Sequence, residues 1–343
     1  MKQIVEDICT NKINKIAVLT HKHPDPDAIG AAVGLKAKFE SHGAEVTIFY
    51  GGEISHPQNK TMVNVLSLDL QSADELTADY FSKFDLVVLV DCTEQNAAVS
   101  KVKADVIFDH HRTQVDKENY RFVDIRPVGS ACALVYEALK NDDFTFDKES
   151  DKDRFAATAM LMGIKTDTND LLSEATTALD NEAYEALSKT ADTAKIWSII
   201  QYPLPKYLFQ LEKRALNEDN HKQINATYVV FIGLIPSAQR DALPILSEKF
   251  IRMEGVSTAV AFAIVDDNIG ASVRSVDVSL DVDAFCKRVF GKDCSGGKLG
   301  QGGALVPLGV LGVANESEDI QKLGVDFIRS KIMLKIEGEA ENT

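Results

Sequence analysis

The chain has 343 residues, which suggests about two domains, with 45% hydrophobic residues and a formal net charge of −15. This acidic balance excludes tracking along a long nucleic acid, because such binding depends on lysine and arginine side chains that neutralise phosphates. It still permits a small phosphorylated substrate that is held by a few local cations.

Strand-like and helix-like patterns alternate through the first half of the chain. Apolar runs rich in valine and isoleucine, typical of strands buried in a parallel sheet, occupy residues 15–20, 44–50, 84–91 and 104–109. Helical patterns occupy residues 28–41, 129–141 and 155–165. The alternation predicts an α/β fold with a doubly wound, mostly parallel sheet, in which ligands bind beyond the carboxyl ends of the strands.

The chain changes character near residues 175–225, where charged helical segments are interrupted by prolines. Beyond them, strand-like runs resume, with a helical pattern at about 237–253 and a hairpin-like Asn268-Ile269-Gly270. We therefore predict a second, smaller α/β domain. The predicted division is a first domain at 1–190, a helical connector at 191–224 and the second domain at 225–343.

The five cysteines are widely spaced and form no CxxC pair. An odd number at such spacing excludes a disulfide framework and a thiolate zinc site. No apolar run approaches the roughly 18 residues of a membrane span, and the N-terminus lacks a signal-peptide core. A soluble cytoplasmic protein without membrane partners is expected.

Carboxylates and imidazoles occur at four places where an apolar run ends. Taken alone, each aspartate is more simply a turn former or a helix cap. However, four of the seven histidines lie beside aspartates in two of these short segments, which favours a shared metal site. The candidates are His21, Asp25, Asp27, Asp91, His110, His111 and Asp167.

Seven candidate ligands exceed what one ion needs once waters are counted. Two ions fit better, and a carboxylate can bridge two metals that lie about 3.5 to 4 Å apart. Mixed oxygen and imidazole nitrogen donors are typical of divalent ions of the Mn, Fe or Zn kind. The sequence therefore predicts a two-metal centre.

These segments carry a resemblance to a known family, the DHH phosphoesterases. HKHPDPDA at 21–28 resembles its first motif, LVDCT at 89–93 its second, DHH at 109–111 its third and GIKTDT at 163–168 its fourth. The resemblance continues into VGSACALVYEAL. It covers roughly residues 15–175, with weaker coverage from about 225 to 315.

The resemblance implies two Mn²⁺ ions, with Mg²⁺, Co²⁺ or Fe²⁺ as alternatives. It assigns them six ligands: His21 and Asp25 on one ion, Asp27, His110 and Asp167 on the other, and Asp91 as the bridge between them.

Three further residues near these motifs have open roles. His111 would contact the scissile phosphate and protonate the leaving oxygen, or else orient a metal ligand. His23 is a loop histidine that faces solvent or substrate at least as readily as it binds metal. Arg112 could form a bidentate pair with a phosphate, with a surface salt bridge as an equal alternative.

The second domain contains a glycine-rich stretch at residues 295–309. Its glycines suggest a tight loop whose N–H groups approach an anion, with a lysine as point charge, although a bulged hairpin turn is the simpler alternative. The substrate candidates in this stretch are Gly296, Gly297, Lys298, Gly302 and Gly303.

The nucleotide-cleaving branch of the family carries a glycine-rich substrate motif in its C-terminal domain, usually three glycines followed by histidine. Gly296-Gly297-Lys298 departs from that pattern, since no histidine occurs in the stretch. Arg274 matches the arginine that precedes this glycine-rich motif in the family and would bind a terminal phosphate. Its simpler alternative is an exposed strand residue.

The resemblance thus implies a metal-dependent phosphoesterase, a hydrolase that acts on short oligonucleotides (a nanoRNase-type activity), on 3'-phosphoadenosine 5'-phosphate, or on both, and that forms a homodimer. Alternatives within the family are an inorganic pyrophosphatase, whose Ser-Arg-Lys signature is absent here, an exopolyphosphatase and a cyclic-dinucleotide phosphodiesterase. A non-catalytic nucleotide-binding protein is the alternative from another class, suggested by the altered glycine motif.

Overall fold

The computed structural model describes residues 1–314 and 316–340. The chain divides into two compact units, Met1–Pro203 and Leu204–Thr343. The segment predicted as a connector is therefore shared between them, with its first thirteen or so residues in the first unit. Within the described residues, no helix has the length and apolar character needed to cross a membrane.

The first unit is built on a six-stranded sheet. Its strands are β1 (Lys15–Lys22), β2 (Glu45–Gly51), β3 (Leu70–Ser72), β4 (Leu86–Val90), β5 (Val106–Asp109) and β6 (Phe122–Ile125). Its helices are α1 (Lys2–Cys9), α2 (Pro26–Ser41), α3 (Pro57–Val65), α4 (Ala131–Asn141), α5 (Asp151–Asp167), α6 (Ala178–Ser188) and α7 (Thr193–Ile200).

All strand pairs of this sheet are parallel, in the order β3-β2-β1-β4-β5-β6. The order reverses between β1 and β4, which creates a switch point where the loops leave in opposite directions. The predicted α/β class and parallel sheet are confirmed.

Both faces of the sheet are buried, as the alternation in β1 illustrates. Ile16 and Val18 point into the larger core beneath α2, α4 and α5. Ala17 and Leu19 point to the opposite face, where a smaller core is covered by a 3₁₀ helix at Ala78–Lys83 and the loops around it. A strand buried on both sides needs apolar residues at every position, which explains the continuous runs in the sequence.

The second unit contains α8 (Lys206–Ala215), β7 (His221–Ile224), β8 (Thr227–Ile235), α9 (Ala242–Phe250), β9 (Thr258–Val265), β10 (Asn268–Ser275), α10 (Val282–Phe290), β11 (Ser295–Lys298), β12 (Gln301–Pro307) and α11 (Glu318–Ala340). The strands form one sheet in the order β11-β12-β10-β9-β8-β7. Only the β8–β9 pair is parallel among the described strands of this sheet.

Two details of the second unit correct the sequence-based prediction. The β9–β10 turn is formed by Asp266 and Asp267, because Asp266 takes the positive φ of 51° that the turn needs. Asn268, Ile269 and Gly270 instead belong to β10. The predicted helix at 237–253 is shorter, since α9 begins at Ala242.

Candidate metal centre

The candidate ligands from three different segments meet at the carboxyl edge of the parallel sheet. His21 lies near the end of β1, Asp91 directly follows β4, and His110 directly follows β5. Asp91 has a φ of 56° and donates its backbone N–H to the Phe108 carbonyl at 2.8 Å. This left-handed conformation turns the chain sharply after β4 at the switch point, and a non-glycine residue there is unusual.

The side chains form three overlapping groups. In each group, the potential ligand atoms lie within 4.8 Å of one another. Asp91 and His110 each belong to two groups, so the groups share members. The groups are His21, Asp25 and Asp91; Asp27, His110 and Asp167; and Asp91, His110 and His111.

Backbone contacts orient the two partly buried histidines, His21 and His110. His21 Nδ1 lies 2.8 Å from the Lys22 carbonyl oxygen, and His110 Nδ1 lies 3.1 Å from that of Val128. A carbonyl oxygen accepts, so each Nδ1 donates and each Nε2 is left to face the centre. His21 Nε2 lies 3.4 Å from Asp91 Oδ2, and His110 Nε2 lies 3.3 Å from Asp91 Oδ1.

Helix N-termini hold two of the carboxylates. Asp25 caps α2, with Oδ1 accepting from the N–H groups of Asp27 at 2.9 Å and Ala28 at 3.0 Å. Asp27 is fully buried and accepts from the N–H groups of Ala131 at 2.6 Å and Cys132 at 3.0 Å, at the start of α4. These backbone N–H groups fix the orientation of both carboxylates and stabilise their negative charge.

The fourth carboxylate completes the second group from another helix. Asp167 is the last residue of α5, and its Oδ2 lies 3.2 Å from His110 Nε2. The apolar run that precedes Asp167 is buried and packs α5 against α2.

The crowded acids strongly perturb protonation. Burial raises the pKa values of Asp25 and Asp27, and the neighbouring charge of Asp91 raises both further. Burial also raises the pKa of Asp91, but the imidazoles of His110 and His21 outweigh it and lower this pKa to about 2.

The histidines respond in the opposite direction. Burial lowers the pKa of His110, but Asp91 and the other carboxylates raise it to about 10. Burial likewise lowers the pKa of His21, while Asp91 and Asp25 raise it to about 9. Four carboxylates around two imidazoles leave an excess of negative charge in a poorly hydrated place, and divalent cations bound by oxygen and nitrogen would neutralise it. The residues therefore fit a pair of divalent ions.

His111 differs from its neighbour in exposure. Its side chain is 58% exposed, and its Nδ1 lies 2.8 Å from Oδ1 of Asp109, a carboxylate that is almost completely buried. The hydrogen bond to Asp109 raises the pKa of His111, although burial opposes it. The orienting role of Asp109 was missed in the sequence, where only its place in the triplet draws attention to it.

Two predicted residues lie apart from the three groups. His23 has a φ of 56°, and its Nδ1 accepts from the Glu53 backbone N–H at 3.1 Å, which directs the ring to the loop after β2. Arg112 is exposed and forms no ion pair within the described chain, so it does not make the alternative surface salt bridge. Its role toward phosphate stays a prediction.

The substrate candidates lie in the second unit, where the glycine-rich stretch forms the β11–β12 hairpin. Its two-residue turn is Leu299-Gly300, with Gly300 at a φ of 72°, and the strand register shows no bulge. The glycines lie within the strands: Gly296, Gly297 and Lys298 in β11, and Gly302 and Gly303 in β12.

Close packing accounts for two of these glycines, Gly297 and Gly302. A Cβ on Gly302 would lie 2.6 Å from the Cys286 Sγ and 2.8 Å from Val282 Cγ1, both on α10. A Cβ on Gly297 would lie 3.1 Å from the backbone nitrogen of Asp283, and the Gly297 N–H donates to the Asp283 carboxylate at 3.0 Å. Glycine thus lets α10 lie directly on the hairpin, which leaves fewer N–H groups for an anion than a loop would offer.

Arg274 lies in β10 and is engaged within its own unit. Its Nη2 donates to Glu248 Oε1 at 2.9 Å, and its Nη1 donates to the Ser272 hydroxyl at 3.2 Å. Its side chain is largely buried, unlike that of an exposed strand residue. A phosphate at this position would have to compete with Glu248.

The fold and the clustered side chains define the first unit as an α/β domain with a set of candidate metal ligands at the switch point of its sheet. Comparison with known families shows what this unit resembles. Residues 15–164 match the DHH family, N-terminal domain, a range that contains every candidate ligand except Asp167. The match confirms the resemblance of the motifs in this range to the DHH family.

The chain also resembles individual proteins. It is 32% identical over 321 residues to an uncharacterized protein of Methanocaldococcus jannaschii, covering 93% of this chain and 63% of that protein. It is 31% identical over 186 residues to a probable manganese-dependent inorganic pyrophosphatase of Lactobacillus acidophilus, covering 52% of this chain and 56% of that protein. The chain thus spans less than two thirds of either relative.

A solved structure shares the whole fold. The crystal structure of an exopolyphosphatase-related protein from Bacteroides fragilis superposes with a TM-score of 0.66 at 16% identity, covering 97% of this chain and 98% of the other. This likeness confirms the α/β architecture of both units.

Proposed function

We propose that the chain is a two-metal-dependent phosphoesterase that hydrolyses short oligonucleotides, 3'-phosphoadenosine 5'-phosphate, or both. The observation that carries this proposal is the overlap of the ligand groups, with Asp91 common to the groups of His21 and of His111. Two ions that share a carboxylate are the arrangement used for displacement at phosphorus.

Manganese is the proposed metal, with Mg²⁺, Co²⁺ or Fe²⁺ as alternatives. The oxygen and imidazole donors suit it, and the Lactobacillus acidophilus relative is named as manganese-dependent. His21 and Asp25 would hold one ion, Asp27, His110 and Asp167 the other, and Asp91 would contact both. Bound divalent ions supply positive charge that polarises a phosphoryl oxygen and activates water.

Beside the metals, Asp109 would orient His111, and His111 would supply a proton. Because His111 Nδ1 is hydrogen-bonded to Asp109, His111 Nε2 is the atom that can hold a proton toward a substrate. The hydrogen bond to Asp109 raises the pKa of this imidazole and so favours its protonated form, and its exposure makes it accessible. His111 is therefore the proposed general acid for the leaving oxygen.

The second unit is the proposed substrate-selecting part. A short nucleotide needs only one or two phosphates neutralised, in keeping with a net charge of −15. Arg274, Lys298 and the glycines of the hairpin are the second unit's proposed phosphate contacts, and Arg112 is the proposed phosphate contact of the first unit. We also propose a homodimer, for which the molar mass in solution is the direct measurement.

An inorganic pyrophosphatase is the second candidate, favoured by the named Lactobacillus acidophilus relative. That similarity covers 52% of this chain, so it leaves almost half of the chain unmatched. The Ser-Arg-Lys signature expected of that branch is also absent from the sequence. Pyrophosphate cleavage would therefore need other cations in the second unit.

A substrate panel with Mn²⁺ tests the proposal. The purified chain would be offered linear dinucleotides, 3'-phosphoadenosine 5'-phosphate, pyrophosphate, polyphosphate and cyclic dinucleotides. We expect turnover of the first or second substrate. Failure on both while Mn²⁺ is bound would refute the proposed substrates, and turnover of pyrophosphate alone would establish the second candidate.

Asp91→Asn separates an enzyme from a non-catalytic nucleotide-binding protein. Asn keeps the size of the side chain but removes the charge between the two proposed ions. An enzyme should lose at least about 100-fold in kcat. A nucleotide-binding protein would show no hydrolysis before or after the change.

A further inference from the structure

A buried turn, Val128–Ser130, lies beside one ligand group and is linked to its three side chains directly or through adjoining residues. We call this segment the supporting turn, and Asp27, His110 and Asp167 the trio. The Val128 carbonyl accepts from His110 Nδ1 at 3.1 Å. The N–H groups of Ala131 and Cys132, which directly follow the turn, donate to Asp27.

The third member of the trio is linked through its neighbour. Gly129 of the supporting turn lies against Thr168, since a Cβ on Gly129 would be 2.7 Å from Thr168 Cγ2. Thr168 directly follows Asp167 and is itself fully buried. A movement of the supporting turn would therefore disturb every side chain of the trio.

Asp180 holds the supporting turn in place. This carboxylate is completely buried and comes from the first turn of α6, 51 residues beyond Gly129. Its Oδ2 accepts from the Gly129 N–H at 2.9 Å, and its Oδ1 accepts from the Ser130 hydroxyl at 3.0 Å. Oδ2 also accepts from the N–H and hydroxyl of Thr177, at 2.8 and 2.7 Å.

The other ion's ligands are supported elsewhere. His21 is oriented by the Lys22 carbonyl, and Asp25 by the N-terminus of its own helix α2. Asp91 is held by a backbone hydrogen bond to Phe108. In the hydrogen bonds of the described chain, none of these contacts involves the supporting turn.

We propose that Asp180 is a positioning residue for the ion bound by the trio, and that it sets the affinity of this ion without setting that of the other. The inference rests on the proposed two-metal centre. Residues that orient metal ligands typically change metal affinity about 10-fold to 100-fold when removed. Asp180 would act on the trio through the supporting turn and the residues that adjoin it.

The test compares Mn²⁺ binding by the full chain with and without Asp180. Wild-type protein and Asp180→Ala would be titrated with MnCl₂ by calorimetry, with free Mn²⁺ followed by electron paramagnetic resonance. We expect two sites in the wild type. In the variant, one site should weaken about 10-fold to 100-fold while the other stays within about threefold.

Two results would overturn the inference: both sites unchanged in folded Asp180→Ala, or both weakened equally, as a general loss of structure would produce. A wild type that binds no Mn²⁺ would instead refute the proposed function. The two failures are therefore distinguishable.

Two further variants complete the design. Asp85→Ala removes a carboxylate that accepts from the N–H groups of Asn14 and Lys15, at the opposite end of β1 from His21, and should leave both Mn²⁺ sites unchanged. Asp180→Asn keeps the volume and one acceptor, but its amide must face one of four donors. It should weaken the same site by roughly threefold to tenfold. If Asp180→Ala does not fold, wild-type affinity in Asp180→Asn overturns the inference.

Discussion

His21 and His110 hold protons in the metal-free chain that a bound ion must displace. Their pKa values rise from an ordinary 6.5 to about 9 for His21 and about 10 for His110, because the surrounding carboxylates raise each pKa by more than burial lowers it. A raised pKa stabilises the folded chain below pH 6.5, and this stabilisation is lost as the pH rises through 9 and 10. Metal binding requires the neutral imidazoles, so protons and metal compete.

The first prediction concerns this competition. Mn²⁺ should raise the melting temperature more at about pH 8.5 than at about pH 6, because fewer protons must leave at the higher pH. Thermal unfolding with and without Mn²⁺ measures the two shifts. Calorimetry in buffers of different ionisation enthalpy should also detect proton release at neutral pH. Equal shifts at both pH values, with no proton release, would contradict the assignment of these histidines as ligands.

The second prediction separates the exposed histidine of the triplet from the histidine of the first loop. His111→Gln should lower kcat by about 100-fold to 10,000-fold, the usual loss of a general acid, while both Mn²⁺ ions still bind. His23→Gln is the matched control and should leave kcat unchanged, since the His23 ring contacts the Glu53 backbone. A His111→Gln variant with normal kcat would remove this residue from the reaction.

Among the elements, the strands that could be predicted from the sequence are those that are buried on both faces and therefore need apolar residues at nearly every position. β1, β4 and β5 are covered on both faces, so their apolar runs are continuous and visible in the sequence. β6 is only half buried, and β3 has one half-buried and two exposed residues, so neither carries such a run. Hydrophobic pattern reports burial, and these two edge strands have little of it.

The candidate site could be predicted where a metal-ligating residue type directly follows a strand, as at Asp91 and His110. Asp180 was not, because its role depends on a contact with Gly129 that only the folded chain creates. The glycine hairpin shows the same limit. Its glycines were visible in the sequence, but the reason for Gly302 is the packing of α10, which no local pattern reveals.

The third prediction concerns the packing of α2 against α5, the helices that carry Asp27 and Asp167. A Cβ on Gly30 would lie 2.5 Å from the backbone oxygen of Ala159, which cannot move without shifting α5. Gly30→Ala should therefore lower the free energy of unfolding by about 1–3 kcal/mol. It should also weaken Mn²⁺ binding, because the two helices must separate.

The control for this prediction lies on α11, where a Cβ on Gly338 would meet none of the described atoms around that helix within 4 Å. Gly338→Ala should be neutral or stabilise the chain by up to about 1 kcal/mol, since alanine favours a helix over glycine. Denaturant unfolding measures both variants. Equal stability of Gly30→Ala and wild type would show that the helices adapt without strain.

Over the whole molecule, the two units divide the proposed tasks. All six candidate ligands lie within Met1–Pro203, together with the two cores that cover the faces of the parallel sheet. Arg274 and the glycine hairpin lie within Leu204–Thr343, which has core clusters of its own. Each unit thus has the interior it needs for independent folding.

The fourth prediction follows from this division. A fragment of residues 1–203 should fold and bind two Mn²⁺ ions, because its ligands and their supporting hydrogen bonds are all internal to it. Its kcat/KM for a dinucleotide should fall by at least about 100-fold, since binding energy from the distant part of a substrate contributes to turnover. Circular dichroism, Mn²⁺ titration and dinucleotide hydrolysis measure folding, metal binding and activity separately. Full activity of the fragment would exclude substrate selection by the second unit, whereas a folded fragment that binds no Mn²⁺ would show that the metal centre needs residues beyond 203.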